Sequence, residues 1–357
     1  MEWLYQHLAT GWDQMTNLPK ALRHRLQSEF AFQPLSLVTG QGAPDATRKF
    51  LWRLADGGLI ESVLIPANPA LYGEGSDRST LCVSTQVGCA YRCAFCASGL
   101  AGWQRDLRTE EIVEQVLAVE RWSREQSDQC ANAVSVPAAG PPEPSGAARR
   151  QSTRAGRAID NLVIMGMGEP LANYDNVLAA LGILNAVWGT GIGARKITLS
   201  TSGLVPGIRR LAGEPLQFRL AVSLHGATDA VRARLMPVNR KYPLRELIGA
   251  CEYYTQRQGR LLTFEYLLIA GVNDGLDQTA PLADLARRVG AKINLIPYNR
   301  VEGLPWTRPD EAAQETFRSA LAARGVPVTL RREKGEDIDA ACGQLRLRTD
   351  PAPRSST

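Results

Sequence analysis

Apolar positions recur along this chain with two different periods. In residues 2–30 the spacing is helical. Trp3, Leu4 and Leu8, then Trp12, Met15, Leu18, Leu22 and Leu26, recur at helical spacing, as on one buried helix face. Pro19 suits a first helical position, where its missing N–H is not needed. Trp3, Tyr5 and Trp12 are expected to pack into a core rather than to stack on bases. Between residues 47 and 66 the pattern changes to two strand-like runs, 48–54 and 59–66. Asp56-Gly57-Gly58 between them is a hairpin signal. Pro69, Gly73, Gly75 and Asp77 mark 67–79 as a linking loop.

From Leu81 onward short apolar runs alternate with longer amphipathic ones. Strands are expected at 81–84, 161–165, 196–200, 218–223, 262–268 and 292–296. Helices are expected at 110–124, 176–186, 205–212, 244–257 and 279–289. Such alternation predicts a mostly parallel sheet. Six units fit an incomplete barrel better than a closed eight-unit one, and in either form function gathers at the C-terminal ends of the strands. A seventh strand is expected at 326–331. The order is interrupted at 126–158. Ser135 to Arg157 holds four prolines, and Arg149, Arg150, Arg154 and Arg157 follow with no acid between them. Such a composition cannot bury a core, so a solvated insertion is expected, with contact to RNA phosphates the lesser reading. The expected fold is α/β: a partial (βα)6 TIM-like barrel over 79–325, a small helical and β accessory domain at 1–78, a C-terminal strand and loop at 326–349, and a disordered tail at 350–357.

Composition narrows the class. The chain has 357 residues, 44% of them hydrophobic, enough for a sizeable core. Its net charge of +5 is compatible with a polyanionic partner without requiring one. No secretory leader and no apolar run of membrane-spanning length is visible. Seven cysteines in such a chain suggest a reducing compartment and metal or catalytic use rather than a disulfide framework. A cytoplasmic, monomeric enzyme with no membrane partner is expected.

The densest chemistry is Cys89-Ala-Tyr-Arg-Cys93-Ala-Phe-Cys96, a C-x₃-C-x₂-C loop after the first barrel strand. Thiolates select iron–sulfur clusters, zinc or copper. Zinc sites usually close with four protein ligands, and no nearby histidine completes a set here. Three thiolates on a four-iron cluster leave one iron open to chelate a small molecule. A disulfide is less favoured, because three cysteines this close cannot all pair. Polar groups also fall at the ends of later strands. Gly166-Met167-Gly168-Glu169-Pro170 allows close backbone approach, with a carboxylate able to accept from an ammonium. Ser200, Ser223-Leu224-His225 and Asn299 end other strands. Each taken singly reads as a turn, a cap or a satisfied structural histidine. Cys251 reads as packing and Cys130 as a free thiol without function.

The cysteine loop with Phe95 before its last cysteine resembles the radical S-adenosylmethionine (SAM) signature. The longer string from Leu81 to Cys89, the Gly168-Glu169-Pro170 turn and the segment Gly335–Leu345 around Cys342 are similar to the RlmN/Cfr family of RNA adenine methyltransferases. The resemblance runs from Trp3 to Leu345. It implies a [4Fe-4S] cluster on Cys89, Cys93 and Cys96. It implies SAM bound by Gly168, Glu169, Ser200, Ser223, Leu224, His225 and Asn299. Cys342 matches the family's methyl-carrying cysteine. Cys82 matches a second catalytic cysteine, which removes the carbon 2 proton or forms a disulfide with Cys342. Glu61 matches a glutamate assigned as proton acceptor, although a strand glutamate is more often a solvated face residue. The implied partners are 23S rRNA, at adenine 2503, and tRNAs, at adenine 37, together with a reductant. The implied reaction is methylation at carbon 2 of adenine. Carbon 8 methylation, another radical SAM reaction and a non-catalytic iron–sulfur or zinc RNA adaptor are the alternatives. The adaptor would leave Cys342 and Glu169 without purpose. Against the family pattern the chain begins inside the N-terminal accessory domain, and the insertion at 126–158 is long.

Overall fold

The computed structural model describes residues 1–32, 35–43, 46–67, 78–100, 102–134, 157–331 and 343–349, with side chains in the helix at 109–134 described as far as Gln129. The strands are β1 (Ser36–Gln41), β2 (Arg48–Arg53), β3 (Leu59–Ile65), β4 (Thr80–Cys82), β5 (Gln86–Gly88), β6 (Trp103–Asp106), β7 (Asn161–Ile164), β8 (Ile197–Thr201), β9 (Arg219–Ser223), β10 (Thr263–Leu268), β11 (Lys292–Pro297) and β12 (Val328–Leu330). The α-helices are α1 (Glu2–Tyr5), α2 (Lys20–Glu29), α3 (Ala97–Leu100), α4 (Thr109–Val134), α5 (Tyr174–Asn185), α6 (Val205–Leu211), α7 (Asp229–Leu235), α8 (Leu244–Gln258), α9 (Thr279–Val289), α10 (Glu311–Ala322) and α11 (Gln344–Thr349).

Ten strands form one sheet in the order β1-β2-β3-β4-β7-β8-β9-β10-β11-β12. β4 and β7 to β11 are parallel neighbours, as the apolar runs predict, and β12 adds a seventh parallel strand. One face of these strands is buried, for example Leu162, Ile164, Leu199, Val222, Phe264, Tyr266 and Leu295, while the other keeps partly exposed positions such as Val163, Ser200, Leu267 and Ile296. The helices cover the buried face with Val116, Leu181, Ile208, Leu247 and Phe317, all fully buried. Each such side chain is worth about 1.5–3 kcal/mol of transfer free energy.

The accessory strands join the same sheet. β2 and β3 pair antiparallel from Arg48↔Leu64 to Arg53↔Leu59. Their turn closes through Leu54 N–H donating to Gly58 O and Gly58 N–H to Asp56 Oδ1. β3 then pairs antiparallel with β4, so the accessory sheet extends the barrel edge continuously. Trp12 donates to Phe30 O and Tyr5 packs edge-on against Trp188, in keeping with a packing role.

The helix expected at 110–124 continues to Val134, through the first residues of the expected insertion. Glu110 and Glu111 open it, as the helix dipole favours. The rest of that insertion from 135 to 156, most of the linking loop (68–77) and the tail at 350–357 lie outside the described residues. Gln115 of α4 fixes the approach to the site. It donates to Ser84 O and accepts from Ser84 N–H and Ser62 Oγ. Ser84 Oγ in turn donates to Glu61 O.

Candidate active site

The three-cysteine loop runs between β5 and α3. Gly88 begins it at φ +81, and a Cβ there would sit 1.8 Å from Gly102 O, so only glycine fits. Cys89 N–H donates to Gly102 O at 3.1 Å. Arg92 takes φ 46, a left-handed conformation uncommon outside glycine. Ala94 is tied at both ends of its peptide: its N–H donates to Leu235 O and its carbonyl accepts from Trp306 Nε1, each at 2.8 Å. Cys93 and Phe95 pack on a small core of Leu235, Met236, Ile269 and Tyr298. All three cysteines are free thiols. Burial pushes Cys89 up to about 12 and Cys93 well above its ordinary value, and the neighbouring cysteines raise both further. Three soft donors close enough to perturb one another, on a rigid loop, fit an iron–sulfur cluster. Among the described residues, no three histidine, cysteine, aspartate or glutamate side chains converge on a single ion position.

The turn after β7 faces this loop. Glu169 is 2% exposed and accepts from Leu171 N–H and Ser202 N–H at 3.0 and 2.6 Å. Its own N–H donates to Gln86 Oε1. Burial raises its pKa, opposed by those hydrogen bonds. Its charge is felt by Cys89, Cys93 and Tyr91. Each carboxylate oxygen retains acceptor capacity for an ammonium. Gly168 takes φ +104, and a Cβ would meet Gln86 and Thr85 at 2.6–2.8 Å. A side chain on Gly166 would collide with Val83 O at 2.5 Å.

Ser200 lies on β8, Ser223 ends β9, and Asn299 follows β11, all partly exposed, while Leu224 is buried. His225 is 5% exposed and takes φ 54. Its Nδ1 accepts from Leu267 N–H at 3.0 Å, which places the ring proton on Nε2. Burial, with Arg232 nearby, lowers its pKa to about 3, so the imidazole is neutral. Phe95 of the cysteine loop meets it edge-on at 4.8 Å.

Glu61 and Cys82 share one face of the sheet. Lys49, Val63 and Cys82 are direct partners across β2, β3 and β4, and Glu61 is two residues from Val63 on β3, so their side chains project the same way. Cys82 is a partly exposed free thiol. Burial pushes it up to about 11, with Lys49 lowering it and Glu61 raising it. Glu61, matched by resemblance to a proton acceptor although a strand glutamate more often faces water, is 1% exposed. It pairs with Lys49 Nζ at 3.2 Å and accepts from Gly343 N–H at 2.8 Å and Arg346 N–H at 2.7 Å. Cys342 lies outside the described residues. Its neighbour Gly343 is held at φ +87, where a Cβ would meet Ser98 Oγ, N and Cα at 2.6–2.8 Å.

Two charged residues with structural weight escape a sequence reading. Arg232 is fully buried and donates to Ser202 O, Ser223 O and Asn239 Oδ1, joining the loops after β8 and β9. In the charged string Asp229–Arg234 it looks like a solvated helix face. Lys49 is fully buried, yet beside Arg48 it looks like an exposed strand position.

Comparison with known proteins gives a consistent picture. Residues 144–283 match the Radical SAM superfamily model, and residues 1–31 match the ribosomal RNA large subunit methyltransferase N-terminal domain. The chain is 51% identical, over 98% of its length and 88% of the relative, to a probable dual-specificity RNA methyltransferase RlmN 3 of Opitutus terrae. It is 47% identical, over 100% of its length and 90% of the relative, to a probable dual-specificity RNA methyltransferase RlmN of Akkermansia muciniphila. The crystal structure of a radical SAM methyltransferase from Sphaerobacter thermophilus superposes with a TM-score of 0.82 at 44% identity, covering 96% of this chain and 90% of that one.

Proposed function

The chain belongs to the RlmN family of RNA methyltransferases within the radical SAM superfamily, and we propose on that footing that it methylates carbon 2 of adenine in RNA through an S-methyl group carried on Cys342. The proposed substrates are adenine 2503 of 23S rRNA and adenine 37 of tRNAs. The observation that carries the reading is the seat of Gly343, the residue joined to Cys342. It touches Ser98, two positions beyond Cys96, and the Glu61 carboxylate on the sheet face that bears Cys82.

Carbon 2 of adenine is electrophilic and offers no acidic proton, so a direct displacement on SAM fails. Splitting the reaction into covalent steps lowers the barrier. Cys89, Cys93 and Cys96 would hold a [4Fe-4S] cluster. When bound, the cluster supplies the electron that cleaves SAM to a 5′-deoxyadenosyl radical. Glu169 would accept from the SAM ammonium. Gly168, Ser200, Ser223, Leu224, neutral His225 and Asn299 would line its carboxylate, ribose and adenine. Cys342 thiolate attacks the methyl of a first SAM; the new S–C bond replaces the sulfonium–methyl bond and S-adenosylhomocysteine leaves. Hydrogen is then taken from this S-methyl group, and its carbon adds to carbon 2 of the base. Cys82 thiolate takes the carbon 2 proton as the base regains its aromaticity, and a bound cluster would accept the one electron released. Cys82 thiolate attacks Cys342 sulfur, the S–S bond forms, the C–S bond breaks, and the freed carbon takes a proton. A thiol reductant restores both cysteines.

A Cys82→Ala variant tests the scheme. It should accumulate enzyme covalently linked to RNA through Cys342, seen as a shifted band and as a nucleotide-modified peptide. Free methylated RNA at the wild-type rate would overturn the assignment of Cys82.

A further inference from the structure

Glu61 has both carboxylate oxygens in use. Oε2 receives Lys49 Nζ at 3.2 Å and Gly343 N–H at 2.8 Å, and Oε1 receives Arg346 N–H at 2.7 Å. The Lys49 and Glu61 side chains are 0% and 1% exposed. The three donors come from far apart in sequence: a strand of the accessory sheet and the first turn of the last described helix. Ser98 closes on Gly343 from the other side, leaving no room for a Cβ. One peptide is therefore gripped between β3 and the helix that follows the cysteine loop.

We propose that Lys49 and Glu61 form a buried clamp that sets the register of the C-terminal segment, and with it Cys342, against Cys82 and the cysteine loop. Glu61 is a positioning residue rather than the proton acceptor. A general base must reach the proton it removes, and Glu61, 1% exposed and anchored by Gly343, Arg346 and Lys49, would have to swing away from those donors to reach an RNA base. A buried carboxylate carrying two backbone donors and an ammonium is also a site that tolerates no partial loss, because removing one member strands the others. The inference rests on the proposed role of Cys342 as methyl carrier.

The two roles separate at the first methyl transfer, which precedes any proton removal from RNA. Cluster-loaded wild type, Glu61→Gln, Lys49→Met and Gly343→Ala are incubated with SAM and no RNA, and methylation of Cys342 is followed by peptide mass spectrometry. The clamp predicts a slowing on the order of tenfold to a hundredfold in all three variants, as expected when a reacting atom is misplaced by about 1 Å. It also predicts no build-up of RNA adduct when RNA is added. Hydrogen exchange of Glu61→Gln should show lost protection at Gly343–Thr349 while β7 to β11 stay protected. If protection falls across the barrel as well, the decision passes to Gly343→Ala, which leaves the ion pair untouched. Wild-type methylation of Cys342 by Glu61→Gln, followed by an RNA adduct like that of Cys82→Ala, would overturn the clamp and restore the base. Wild type that never methylates Cys342 would instead overturn the methyl-carrier reading on which the clamp depends.

Discussion

Acidification should weaken this fold through one imidazole. His225 has a folded pKa lowered from 6.5 to about 3 by burial and by Arg232. A histidine shifted downward is neutral in the fold and takes a proton more readily in the unfolded chain. Its contribution is therefore complete above about pH 6.5 and is lost as pH falls toward about 3. At about 1.4 kcal/mol per pKa unit, the full loss is about 5 kcal/mol, and about 2 kcal/mol is gone by pH 5. Glu169 and Glu265 are raised by burial and act in the opposite sense, so total stability does not isolate the effect. A difference does. His225→Asn removes the titration, keeps an oxygen for Leu267 N–H and tolerates φ 54. Urea unfolding of iron-free wild type and variant at about pH 7.5 and about pH 5 should show the wild type losing about 2 kcal/mol more. The chain has three histidines, so the His225 signal is assigned in NMR by its absence in the variant. Equal losses in both proteins, or a His225 ring that titrates above pH 5, would refute the reasoning.

Further outcomes follow from other contacts. Cys82, pushed up to about 11, is thiolate in about one molecule per thousand at pH 8; its alkylation in RNA-free, cluster-loaded enzyme should speed up about tenfold per pH unit between 7 and 10, and a plateau below pH 9 would contradict this. Gly166→Ala drives a Cβ onto Val83 O and strains the hydrogen bond from Gly166 N–H to Val83 O. It should lower stability by about 1–3 kcal/mol, and an unchanged denaturation midpoint counts against it. Gln115→Leu strands Ser62 Oγ, Ser84 N–H and Ser84 O, each worth about 1–3 kcal/mol when left unpaired in the interior. The expected result is a midpoint drop larger than that of Gly166→Ala.

The barrel was legible because each parallel strand turns a buried apolar stripe toward the helices. Leu162–Ile164, Leu220–Val222 and Phe264–Leu268 stand out for that reason. β1 lies at the sheet edge with half its positions exposed, and β5 and β6 span three and four residues, so neither leaves a periodic trace. α7 and α10 went unread; α7 has seven residues and charges at Asp229, Arg232 and Arg234. The strand-end clusters at Cys89–Cys96 and Gly166–Glu169 were visible as chemistry. The role of Cys342 came only from family likeness. The seat of Glu61 could not be read at all: a strand glutamate looks the same whether it meets water or, as here, the backbone of residues more than 280 positions away. Lys49 and Arg232 were hidden for the same reason. Among the described residues no helix is long and apolar enough to cross a membrane.

The most direct test of the proposed activity is nucleoside mass spectrometry of 23S rRNA and tRNA from cells with and without the gene, and with the gene carrying Cys342→Ala. Loss of 2-methyladenosine in both the deletion and the variant is the predicted result. An unchanged 2-methyladenosine level, or loss of 8-methyladenosine in its place, would contradict it.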